Sequence, residues 1–119
     1  MKIYKKIEPI KVAGSDARDE LKIRVEYTKG GYNSKRGVYA WITPIHRGNG
    51  FESVICLGEL RECGFKVCLK EMGRKSQKVE DAICTVVEPL ADKIAEHYNK
   101  CEFHEISKLL LSAVANVKM

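Results

Sequence analysis

No stretch of this 119-residue chain is apolar for the roughly 20 residues that a bilayer-spanning helix needs, and the opening MKIYKKIEPIKVAG lacks the apolar core of a signal peptide. A cytoplasmic location and no membrane partner are the expectations. Cysteines are present but unpaired in pattern: Cys56, Cys63, Cys68, Cys84 and Cys101 are odd in number and form no close repeated pair, so they make no disulfide framework. Zinc knuckles of the Cys-x2-Cys kind are missing, as are the Gly-x4-Gly-Lys phosphate loop and the Gly-x-Gly-x2-Gly fingerprint. Proline is scarce, with three residues, and aromatics make up 8% of the chain, with a single tryptophan. No low-complexity tract is present.

What is present suits one domain over residues 1–119: 45% hydrophobic and 31% charged residues, with no internal repeat and no long linker. The net charge of +5 is uneven. Residues 1–50 hold eleven Lys and Arg against five acids, and residues 51–119 hold ten against eleven. A basic partner surface therefore belongs mainly to the first half, where it would attract nucleic acid or an acidic protein.

The clearest strand is Leu21 to Thr28, where Leu21, Ile23, Val25 and Tyr27 alternate with Lys22, Arg24, Glu26 and Thr28. A turn-rich basic segment from Lys29 to Gly37 leads to a second strand, Val38 to Ile45. Asn49-Gly50 signals a hairpin into a third strand, Phe51 to Leu57. A short edge strand, Ile7 to Val12, fits the position of Pro9. From Phe65 to Tyr98 the apolar residues Phe65, Cys68, Leu69, Met72, Val79, Ile83, Val86, Val87, Leu90, Ile94 and Tyr98 recur with helical spacing. Lys66, Lys70, Arg74 and Lys78 would then form a basic ladder on the other face. Pro89 should kink or break this helix, with Thr85 and Glu88 as a capping pair if it breaks. A last helix, Glu102 to Val117, presents Phe103, Ile106, Leu110, Val114 and Val117 on one side, to complete the core or form a dimer interface. The expected fold is α+β: a three- or four-stranded antiparallel meander, then a long kinked or broken helix and a C-terminal helix.

Catalysis finds no constellation. His46 in a turn has no signalled nucleophile to serve, and Glu52, Glu59, Glu62 and Asp81 carry no nuclease motif, so a metal-dependent nuclease is the minor alternative to a non-enzymatic protein. His97, Cys101 and His104 would share a face only on an unbroken helix and lack a fourth ligand; no metal and no cofactor is expected. The pattern that does suggest a task is basic and aromatic. Lys22 and Arg24 on the first strand, Lys29, Tyr32, Lys35, Arg36 and Arg47 in the loops, and Tyr39 and Trp41 on the second strand combine phosphate-neutralising cations with rings on which bases stack. Which face of the second strand is buried stays open at this point. If Val38, Ala40 and Ile42 point inward, Tyr39 and Trp41 line an open sheet; in the other register Trp41 is the largest core residue.

The segments Arg36-Gly37-Val38-Tyr39, Thr43-Pro44, Gly50-Phe51-Glu52-Ser53 and Gly73-Arg74-Lys75-Ser76-Gln77-Lys78 resemble those of small uncharacterised proteins of phages and conjugative elements, over about residues 20 to 82. The resemblance implies a mobile-element origin and no particular activity. In architecture, a curved antiparallel sheet followed by a long helix is similar to the Whirly-like and coactivator-type single-stranded-DNA binders, which act as dimers or higher oligomers. Those have a fourth strand before the helix, supplied here if the N-terminal segment or Gly64 to Lys70 is extended. The functional expectation is single-stranded nucleic-acid binding, with a homodimer as a possible state. The alternative is an interaction module that blocks or recruits a host protein.

Overall fold

A computed structural model of the protein describes residues 1–7, 18–31, 34–48, 51–54 and 64–117, with the side chains of 18, 46–48 and 51–54 left aside. Five strands, β1 (Lys2–Lys6), β2 (Arg18–Thr28), β3 (Gly37–Gly48), β4 (Phe51–Val54) and β5 (Phe65–Glu71), precede three helices, α1 (Gln77–Val87), α2 (Ala91–Asn99) and α3 (Phe103–Ala115). The strands are antiparallel in the order β1-β2-β3-β4, the meander expected, and β5 joins the same sheet by pairing with β3. β3 is long enough to serve two neighbours along one edge. Ile45 to Gly48 pair with β4, and Gly37 to Ile42 with β5.

The register of β2 on β3 settles which side is inside. Ile23 lies opposite Ile42, Val25 opposite Ala40 and Tyr27 opposite Val38. Directly opposed residues share a face, so the apolar row of β2 and the apolar row of β3 point the same way. Ile23, Val25, Ala40 and Ile42 are all 0% exposed. Helices cover this side alone among the described elements: α1 packs on β2, α2 on β1 and α3 on β5. Ile83 and Val87 of α1, Ala91 and Ile94 of α2, and Ile106, Leu110 and Val114 of α3 complete the core. The C-terminal helix thus fills the chain's own interior. Phe103 ties three elements together, stacking edge-on to Phe65 of β5 at 6.1 Å and to Tyr98 of α2 at 5.1 Å.

Two sequence readings are corrected here. Phe65 to Glu71 is a strand, not the first turns of the helix. Its apolar residues fit both periods, since Phe65, Val67 and Leu69 also alternate, and the unpaired edge of β3 decides in favour of the strand. The basic ladder is dismantled with it, because Lys66 and Lys70 lie on β5 and Lys78 on α1. Gly37 has a role at this junction, where a bulge lies between Val38 and Tyr39 and a Cβ would collide with the backbone carbonyl of Lys70.

The helical segment begins at Ser76, whose hydroxyl accepts a hydrogen bond from the Val79 amide at 3.3 Å. It breaks at Pro89 as expected, through a short 3-10 turn at Glu88–Leu90. The expected Thr85 cap is a correction: its hydroxyl donates to the Asp81 carbonyl at 2.9 Å, and α2 starts without a side-chain cap. The turn after α2 uses Cys101 with φ 58, which ends the helix and separates His97 from His104. His97 Nδ1 lies 3.2 Å from Glu102 Oε1 instead. Of the expected edge strand Ile7 to Val12, only Ile7 is described, with its amide bonded to the Asp19 carbonyl at 3.3 Å; an earlier strand, β1, holds the sheet edge. The Asn49-Gly50 turn, residues 55–57 of the expected third strand, and Cys56 and Cys63 lie outside the described residues. No described helix is long and apolar enough to cross a membrane.

Candidate functional site

On the sheet face away from the helices, the polar rows of β2 and β3 come together. Arg24 lies opposite Trp41, Lys22 opposite Thr43 and Glu26 opposite Tyr39. β5 adds Lys66 opposite Trp41 and Cys68 opposite Tyr39; β1 adds Lys2 opposite Arg24 and Tyr4 opposite Lys22. Four strands therefore contribute one transverse row, Lys2, Arg24, Trp41, Lys66, in which a single indole sits among three cations.

The contacts within this row are specific. The Arg24 guanidinium carbon is 4.3 Å from the Trp41 ring centroid, close enough for a cation–π contact, and the same guanidinium pairs with Glu26 at 3.3 Å. The Lys66 ammonium lies 5.5 Å from the Tyr39 centroid and donates to the Ser34 hydroxyl at 2.6 Å. Tyr39 and Trp41, two residues apart on one strand, have centroids 5.8 Å apart and planes tilted by 34°. On the neighbouring row, the Lys22 ammonium lies 5.8 Å from the Tyr4 ring.

The two aromatic side chains of β3 differ in access. Trp41 is half-buried, whereas Tyr39 is 6% exposed although it lies on the helix-free face. Neighbouring side chains and its own hydroxyl bond enclose it: the phenol donates to the Lys35 carbonyl at 2.8 Å. Burial pushes the Tyr39 phenol above its ordinary value, with the adjacent Cys68 thiol acting in the same direction and the Lys35 backbone bond opposing it. Tyr39 is better described as the wall that positions Trp41 than as an open stacking surface.

Of the residues expected to form the site, the structure brings together Lys22, Arg24, Tyr39 and Trp41. Lys35 and Arg36 are exposed just before β3, where Lys35 also pairs with Glu71 at 3.6 Å. Lys29 is exposed just past the end of β2. Tyr32 lies outside the described residues. Arg47 is placed in its backbone only, opposite Arg18 and Glu52. Sequence reasoning missed Lys66 and Cys68, which it put on a helix, and Lys2 and Tyr4, which it left without an element. A signal existed in Phe65-Lys66-Val67-Cys68-Leu69-Lys70, which alternates apolar residues with Lys, Cys and Lys as a strand does.

Among the described residues no cluster of His, Cys, Asp and Glu side chains could hold a metal ion. Chemically, the arrangement offers charge neutralisation and aromatic contact. No protein family matches this chain, and neither curated proteins nor solved structures include one with significant similarity.

Proposed function

We propose that the protein is a non-enzymatic binder of single-stranded nucleic acid and that the helix-free sheet face is its binding surface. The observation that carries this reading is the transverse row in which half-buried Trp41 stands among Lys2, Arg24 and Lys66. A cation paired with an indole creates two complementary subsites, one for a phosphate and one for a base face. Such a ring can stack on an unpaired base, because in a duplex both faces of each base are already covered by neighbours. The groups that would touch the ligand lie on paired strands, so little backbone ordering accompanies binding, while each lysine side chain still loses rotamer freedom. Sequence preference should be weak, since every base offers a π-face and phosphates carry no sequence information. A mobile-element origin, implied by the resemblance of short segments to phage and conjugative-element proteins, is part of this proposal.

Fluorescence anisotropy with labelled single- and double-stranded oligonucleotides tests the proposal, using the wild type, Trp41→Ala and the pair Lys35→Ala with Arg36→Ala. Circular dichroism checks that each variant folds. Single strands should bind in preference to duplex, Trp41→Ala should weaken binding by about tenfold, and affinity should fall steeply with salt. An affinity that holds constant up to about 0.5 M salt would sink the proposal. Absence of binding, together with a protein captured equally well after nuclease treatment, would favour the interaction-module reading instead.

A further inference from the structure

Resting on the reading above, the direction of the bound strand and its second aromatic contact follow from how charge is laid out on the face. Along β2 the outward residues run Glu20, Lys22, Arg24, Glu26, so a carboxylate stands at each end of a central pair of cations. A polyanion lying parallel to the strands on this side would pass over one of those acids. One that crosses the strands can stay within two adjacent rows: Lys2, Arg24, Trp41 and Lys66, then Tyr4, Lys22 and Thr43. Repulsion at both ends and attraction in the middle favour the transverse path.

The second stacking ring follows from access. Tyr39, the sequence neighbour of Trp41 on this face, is 6% exposed and its hydroxyl is tied to the Lys35 carbonyl, so it has little face to offer. Tyr4 is half-buried on strand β1 with the Lys22 ammonium over its ring at 5.8 Å, which repeats the cation-over-ring pairing of Arg24 and Trp41. It lies two strands across and two residues along from Trp41, about 12 Å by strand geometry. We infer that a single strand of nucleic acid crosses the sheet from β5 over β3 and β2 to β1, with Trp41 and Tyr4 each stacking one base and Lys66, Arg24, Lys22 and Lys2 neutralising the phosphates along the way.

Anisotropy with a labelled oligothymidylate, over a salt series, tests the path on full-length Tyr4→Leu, Tyr4→Trp, Lys2→Ala and Trp41→Ala. Leucine keeps apolar volume on the edge strand but removes the π-face, so Tyr4→Leu should weaken binding by about tenfold. Tyr4→Trp should bind at least as tightly as the wild type. Lys2→Ala should make the slope of log affinity against log salt shallower by about 0.7, the share of one phosphate. Wild-type affinity in Tyr4→Leu combined with a loss in Trp41→Ala overturns the transverse path while leaving the binding face intact. If Trp41→Ala also binds like the wild type, the proposed function itself fails. Should Tyr4→Leu not fold, Tyr4→Trp and Lys2→Ala decide, and an unchanged salt slope in Lys2→Ala overturns the path.

Discussion

Arg24 and Trp41 are direct partners across β2 and β3, and the guanidinium carbon lies 4.3 Å from the indole centroid. Contacts of this kind at partly exposed sites are worth about 0.5–1 kcal/mol. A double-mutant cycle with Arg24→Ala and Trp41→Ala, read by urea unfolding, should return a coupling of about that size. The cycle cancels the separate loss of the Arg24 pair with Glu26. A coupling of zero would mean that the two side chains do not meet in solution.

The opposed pair Ile23 and Ile42, both 0% exposed, lies where the helix layer presses on the sheet. Truncating Ile42 to Ala removes buried methyl groups and leaves a cavity, at a cost of about 2–5 kcal/mol. A denaturation midpoint close to wild type would contradict the register of β2 on β3 described above.

Glu80 performs a structural task that its charge does not advertise. β1 ends its pairing near Val25, whose amide donates to the Met1 carbonyl at 3.1 Å, and the next amide on the same edge of β2 is that of Tyr27. Glu80 Oε1 accepts from it at 2.9 Å while the side chain is 8% exposed, so a helix residue replaces the missing strand. Glu80→Ala should cost about 1–3 kcal/mol by leaving that amide unsatisfied. Glu80→Gln, which keeps an acceptor oxygen, should lose less; equal losses in the two variants would argue against the hydrogen bond.

Stability should fall at alkaline pH in a way that depends on Tyr39. Its folded-state phenol is raised by burial above the ordinary value near 10. A group whose folded pKa is raised contributes stability that is fully present below the unfolded pKa and is lost as pH rises through the folded one. Denaturation midpoints should therefore be flat with respect to this group near neutrality and decline above about pH 10. Tyr39→Phe should decline less steeply over that range, and parallel curves for the two proteins would refute the assignment.

Thiol reactivity should rank by environment. Cys101 is exposed in the turn after α2, whereas Cys84 is half-buried and burial raises its thiol above the usual range. Brief alkylation at neutral pH followed by peptide mapping should label Cys101 well before Cys84. The reverse order would place Cys84 outside the core.

Much of the architecture could be read from local pattern. The strict alternation from Leu21 to Thr28 marks β2, and the helical spacing from Val79 to Tyr98 marks α1 and α2 with a break at Pro89. Half of the site was legible for the same reason, since Lys22 and Arg24 had to face away from Leu21 and Ile23. Trp41 was not assignable, because Tyr39, Trp41 and Ile45 make one row of its strand almost as apolar as Val38, Ala40 and Ile42 make the other. Tyr4 and Lys2 carried no visible period, and Lys66 matched two periods at once.

Composition and periodicity alone settle the α+β class, the identity of the strongest strand, a kink or break at Pro89 and the concentration of positive charge in residues 1–50, because each depends on covalent chemistry or on neighbours a few positions away. The outward orientation of Trp41, the extended state of Phe65 to Glu71 and the gathering of Lys2, Arg24 and Lys66 around one indole arise only when distant segments pair. Opposed residues must share a face, so the burial of Ile23 and Val25 determines the side taken by Ile42 and Ala40, and Trp41 is left on the other. That constraint acts between chains of residues far apart in sequence, and no local window contains it.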